Sequence, residues 1–94
     1  MMRIYRQGDV LLREVQIPTG AQPITTDILV RGEATGHAHR VRGMQVLQHE
    51  QRMFVRGEGQ LTHEEHDLVT VPKGDYEVLR QREYNPQQNR LVQD

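Results

Sequence analysis

Residues 61–72 read "LTHEEHDLVTVP", two β-favouring runs set around a charged HEEH insert and closed by proline. The first run reads as a strand ending near His63, Glu64 and Glu65 as a tight connection, and a second strand begins near His66. Pro72 and Gly74 then mark a turn before "DYEVLRQREY" at 75–84. The same grammar repeats outward. "DVLL" (Asp9–Leu12), "DILV" (Asp27–Val30), "MQVL" (Met44–Leu47), "RMFV" (Arg52–Val55) and "YEVL" (Tyr76–Leu79) are short β-favouring runs separated by glycine or proline. No window of a dozen residues carries a helical apolar period. The pattern predicts an all-β chain, a small antiparallel β-barrel or sandwich forming a single domain over residues 1–84. "IPTGAQPI" (Ile17–Ile24) reads as an irregular loop, and residues 85–94, "NPQQNRLVQD", as a polar C-terminal arm whose Leu91 and Val92 can dock on a neighbouring subunit.

Hydrophobic residues are 35 % of the 94 and four residues are aromatic, so the core is thin. Thin cores are commonly supplemented by disulfides, a metal or a partner subunit, and with no cysteine the first is excluded. A homo-oligomer is therefore expected. Lack of cysteine also removes thiolate zinc sites, iron–sulfur clusters and thiol nucleophiles, leaving imidazole and carboxylate as ligands. The sequence has no serine, which excludes a Ser-His-Asp hydrolase. A net charge of −1 with interspersed signs argues against a nucleic-acid partner. The polar start and the lack of a long apolar run argue against a membrane partner and for a cytoplasmic protein.

Four of the five histidines fall in "GHAHR" (Gly36–Arg40) and "HEEHD" (His63–Asp67). In a strand, residues two apart share a face, so His37 and His39 are expected to project side by side with Ala38 turned away. His66 or His63 from an adjacent strand would then complete a set of three imidazoles around one ion. If both join, the site is closed like a structural zinc site; if one joins, a position stays open for water, as in catalytic sites. Glu33, Thr35, Glu64, Glu65 and Asp67 flank the histidines and can accept their second ring N–H. Glu64 and Glu65 also read as ordinary solvated turn residues, Tyr84 as a strand-face packing residue, and His49 as a surface histidine.

Three resemblances reach further. "QGDVLL", "GEATGHAH", "HEEH" and "GDYEVLRQREY" resemble a family of small uncharacterised bacterial proteins, which implies a grouping without an activity. Glycine followed by an HxH pair resembles the first motif of the cupins. That likeness departs at Gly43 or Met44, where the cupin glutamate would stand, and at Glu77, where the second motif has a histidine. It implies imidazoles on a β-barrel rather than an iron or manganese dioxygenase. The ligand pattern alone, an HxH pair plus a distant histidine, is similar to the three-histidine zinc site of α-type carbonic anhydrases, and implies a metal-bound water used on a small electrophile.

The leading expectation is a zinc enzyme, a metal-dependent lyase or hydrolase acting on a small-molecule substrate. His37, His39 and His66 hold the ion, with His63 as substitute or fourth ligand, and Glu33, Glu65 or Tyr84 orient water or relay protons. Manganese, iron, cobalt or nickel can replace zinc at such a site. Carbon dioxide hydration is the most specific reaction it suggests. The rival expectation is a non-enzymatic β module whose histidines bind a structural metal or stabilise an assembly. A third is a metal-free, pH-responsive cluster.

Overall fold

A computed structural model describes residues 2–32, 36–81, 84–85 and 90–91. Three long strands dominate it: β5 (Ala38–His49), β6 (Arg52–Thr62) and β7 (Val69–Arg80). They pair antiparallel in chain order. β2 (Val10–Glu14) pairs with β7, and β1 (Ile4–Gln7) with β2. On its other side β5 carries β4 (Ile28–Arg31) near its start and β3 (Gln22–Ile24) further along. A separate two-stranded ladder joins β8 (Tyr84–Asn85), across the boundary expected at 84/85, to β9 (Arg90–Leu91) in the stretch expected to be an arm.

The all-β class is therefore as the strand punctuation indicates, but the barrel does not close. β1 and β3 end the sheet path and do not pair with one another. These edge strands, four and three residues long, offer too short a ladder to close it. Among the described residues no helix is long and apolar enough to cross a membrane.

The turn expected at Pro72 and Gly74 is a bend inside β7 instead. Between the pairs Gly57↔Gly74 and Gly59↔Val71 the register shifts, so Pro72 falls in a bulge where no ladder donor is required. Tyr76 Oη donates to the Pro72 carbonyl at 2.7 Å and spans the bulge. Across the sheet, β5 shifts register between Arg42 and Met44. There a Cβ on Gly59 would stand 2.0 Å from the Arg42 carbonyl oxygen. Only a residue without a side chain lets the two backbones meet at this bend.

One face of the coiled sheet buries Leu12, Leu29, Val41, Val46, Val55, Leu61, Val71 and Tyr76 against each other. Each contributes on the order of 1.5 to 3 kcal/mol when removed from water. The loop at 15–21 covers part of the other face. Its Ile17 is buried and packs on Leu47 and Phe54, which face each other across β5 and β6. Central β6 thus buries successive residues, Phe54 and Val55, because both its faces are covered. This two-sided burial comes from a loop lying on the sheet rather than from a second sheet packed on that face.

Glu77 lies on β7 between Tyr76 and Val78, and the alternation of the strand turns it away from their core. It is buried and meets Arg13 Nη2 at 2.9 Å, Arg52 Nε at 2.9 Å and Arg52 Nη2 at 3.1 Å. The residue standing where a cupin would have a histidine is thus an ion-pair anchor. Burial pushes its carboxyl upward, but the hydrogen bonds and charges of Arg52 and then Arg13 outweigh this and hold it below its ordinary value. Its stabilisation is complete above the unfolded pKa and is lost as the pH falls through the folded one. Glu77→Gln is expected to cost about 2 kcal/mol at pH 7, less than a fully buried pair because Arg52 is half exposed. Urea titrations at several pH values should show wild type and variant converging as the pH falls through the lowered carboxyl pKa of Glu77.

Candidate metal centre

The histidines meet because of strand pairing. Arg40 of β5 faces Thr62 of β6, so His39 and His63, the next residue outward on each chain, come together where β6 ends. β7 does not start until Val69, later than the expected His66, and residues 63–68 form a turn between the two strands. That turn folds His66 back over the same place. The ring centroids of His39 lie 4.3 Å from His63 and 5.6 Å from His66, and those of His63 and His66 are 4.5 Å apart. One ligand atom from each of the three falls within 4.8 Å of the others. Three nitrogens bound to one tetrahedral zinc at about 2.1 Å stand about 3.4 Å apart, so a modest contraction seats an ion.

His37 lies just ahead of β5 rather than in it, so the expected side-by-side HxH pair is not a regular strand pair. Its ring lines the same cleft, 5.7 Å from His63 and edge-on, but its Nδ1 engages Glu65 Oε1 at 2.8 Å. The group that brings three ligand atoms together is His39, His63 and His66.

Two glutamates of the turn act as clips. Glu64 accepts the Ala38 amide at 2.9 Å through Oε1, and its Oε2 faces Arg40 Nη1 at 3.3 Å. The Ala38 amide, followed by its own amide and Arg40, holds the Glu64 carboxyl down at about 2. Glu65 holds His37. The HEEH turn is thereby buttoned onto the GHAH segment by bonds that need no ion.

Gln7 orients the buried member. Both amide hydrogens of this buried side chain go to main-chain carbonyls, of Leu61 at 3.0 Å and Asp67 at 2.9 Å. Its Oε1 is therefore what faces His39 Nδ1 at 3.0 Å, and that ring nitrogen carries the proton. The ring's lone pair is on Nε2, with Asp9 Oδ1 3.6 Å away. Burial, and next the neighbouring His63, push His39 below its ordinary pKa against the pull of Asp9, so the ring is neutral and ready to ligate. Between Gln7 and Asp9, Gly8 turns the chain at φ 58°. A Cβ there would come within 2.6 Å of His66 Nε2, so the glycine makes room for the third imidazole.

His63 is differently held. Its Nδ1 accepts the Glu65 amide at 3.0 Å. Coordination through Nδ1 consumes that lone pair, while coordination of the neutral ring through Nε2 puts a proton on Nδ1. Either way the Glu65 amide loses its acceptor.

The cleft in front of these rings, about 170 Å³, is lined by Asp9, Arg31, His37, His39, His63, Glu65, His66 and Arg80 together with Val30 and Gly32. Of the other residues expected to act, Glu33 lies outside the described residues, and Tyr84 is described as part of the β8 backbone. His49 stands at the β5–β6 turn with Glu50 Oε1 3.8 Å from its Nε2, apart from the set of three.

The family model of a domain of unknown function, DUF8820, matches residues 6–81. The chain belongs to this family. No curated protein and no solved structure matches it. The matched span of the DUF8820 domain takes in every residue that lines the cleft, from Asp9 to Arg80, and Gln7, which holds His39. Gln7, Asp9, Arg31 and Arg80 are the site residues that sequence reasoning passed over. "QGDV" offered a glycine between two polar residues, yet nothing in its spacing ties it to histidines more than thirty positions away.

Adding zinc to the metal-free DUF8820 domain is expected to shift the Glu65 backbone amide more than any amide of β2 or β7. A ¹⁵N-edited NMR titration reads this directly. An unmoved Glu65 resonance at saturating zinc would mean that His63 is not a ligand.

Proposed function

We propose that this DUF8820 domain is a zinc-dependent enzyme that uses His39, His63 and His66 to activate water against a small electrophile, with carbonic-anhydrase-type hydration of carbon dioxide as the first reaction to test. The reading rests on one observation: three imidazole ligand atoms converge within 4.8 Å at the wall of a cleft. Three protein ligands with an open fourth direction is the count found in catalytic zinc sites, against four in structural ones. Neutral imidazoles leave a divalent ion its full charge, and zinc so held lowers the pKa of water from about 15.7 to about 7.

The chain's own groups supply the rest. Gln7 fixes the His39 tautomer so that Nε2 faces the cleft, the kind of outer contact that tunes ligand basicity. Asp9 reaches the same nitrogen at 3.6 Å and is the carboxylate placed to take a proton from water bound there. The paired His37 and Glu65, both partly exposed, offer a relay from the cleft to solvent. Imidazole also suits cobalt, nickel, iron and manganese, so zinc is the leading member of the proposal rather than its sole form. A small-molecule substrate, a cytoplasmic setting and a homo-oligomeric state belong to the same proposal, the last supported by the thin core and the exposed Met2, Ile4 and Leu68.

The rival reading, a module with a structural ion, makes the opposite forecast about metal removal. Glu64 on Ala38 and Gln7 on Asp67 already tie the turn without an ion. The metal-free protein is therefore expected to keep its far-ultraviolet circular dichroism while losing turnover. Elemental analysis should give about one zinc per chain in wild type and none in His39→Ala. Stopped-flow hydration of carbon dioxide should fall on the order of 100-fold or more on chelation and return with zinc. Unfolding on chelation would support the structural ion, and turnover indifferent to chelation would end the enzymatic reading.

A further inference from the structure

The cleft contains a cation that the three-imidazole site does not use. Arg80, at the end of β7, faces Asp9 Oδ2 from Nη2 at 3.6 Å, longer than a hydrogen bond. Its Nε is buried with no acceptor among the described residues. Other arginines of the fold are spent more fully: Arg52 holds Glu77, Arg56 holds Asp75 at 3.1 Å, and Arg40 reaches Glu64. A guanidinium has five donors in a planar fork, and one that lines a cleft with a quarter of its side chain exposed is built to receive a planar acceptor.

Charge balance points the same way. Arg31 and Arg80 offset Asp9 and Glu65 among the cleft residues, and imidazoles that ligate are neutral. A divalent ion on His39, His63 and His66 would leave the cleft with two uncompensated positive charges, which favours an anionic occupant. The size is limited. About 170 Å³ holds the equivalent of about six waters, room for an anion of a few heavy atoms.

We propose that the cleft binds a small planar oxyanion, a carboxylate or bicarbonate, with Arg80 gripping it beside the three imidazoles. The inference rests on the metal reading above and narrows it: the electrophile is one that carries, or becomes on reaction, a carboxylate-type group. A neutral ester or lactone leaves Arg80 without a partner until the product forms. A phosphate can engage the same fork, so the small volume of the cleft rather than the guanidinium is what favours the less bulky planar anion.

Isothermal titration of the zinc-loaded protein with sodium bicarbonate, acetate and phosphate tests this, in wild type, Arg80→Gln and Arg80→Lys, with zinc content and circular dichroism recorded for each. Arg80→Gln should keep its zinc and fold, weaken bicarbonate and acetate by about tenfold or more, and leave phosphate the weakest ligand of wild type. Arg80→Lys should recover part of the affinity, and serves as the comparison should the glutamine variant fail to fold. Equal carboxylate affinity in folded wild type and variant would overturn the proposal, as would preference for phosphate or no anion binding at tens of millimolar. If wild type takes up no zinc, the metal reading falls by itself. The metal-free titration then decides the anion site, with loss of acetate binding in Arg80→Gln sustaining it and its absence in wild type sinking it.

Discussion

The pairing of Arg40 with Thr62 across β5 and β6 governs what the histidines can do. Side chains alternate along a strand, so a slip of one residue would carry His39 from the cleft to the opposite face and leave His63 and His66 without it. The register is held from several sides. Val41 and Leu61 of the neighbouring pair are both buried in the core, and beyond them the Arg42 carbonyl stands so close to Gly59 that a residue with a side chain brought into that place would collide with it. Packing of apolar groups two residues away thus fixes a polar constellation, at no direct cost to the polar groups themselves.

The HEEH turn is held in place by the chain's own polar groups. Glu64 caps the start of β5, Gln7 reaches from β1 to the Asp67 carbonyl, and Glu65 holds His37. Three separate parts of the chain therefore meet at one turn. Each contact satisfies a polar group that the converging strands would otherwise leave unpaired near the rings. His39 and His63 differ in consequence. The first is buried, locked in one tautomer and poised, while the second has its Nδ1 engaged by an amide that any ion must displace. An ion held by these rings would require local rearrangement of the turn rather than of the sheet.

Charge is distributed by face. Buried Glu77 with the more exposed Arg13 and Arg52 forms a network turned away from the main core, where it fastens β2, β6 and β7 together. Asp9 and Arg80 sit instead at the cleft, loosely engaged with one another. The same residue types do mechanical work in one place and line a cleft in the other, and the difference is geometric: one fork and one further close hydrogen bond on a buried carboxylate against one long contact at a cleft wall.

Strand punctuation by glycine and proline, and the absence of helical periodicity, made the all-β class legible in the sequence, because those signals are local. The concentration of His37, His39, His63 and His66 in two short motifs was local too, and so was the exclusion of thiol and serine chemistry. What the sequence could not express was distance across the sheet. Pro72 and Gly74 look like a turn to any local rule, yet β6 on one side and the Tyr76 hydroxyl on the other hold them within a strand as a bulge. Likewise, period-two reasoning paired His37 with His39, whereas the strand begins one residue later and Glu65 takes His37. Gln7 reaches His39, and Asp9 and Arg80 line the cleft, because β1, β2 and β7 are neighbours in space. Residue type and spacing determined the kind of chemistry available, and long-range strand pairing decided which residues share it.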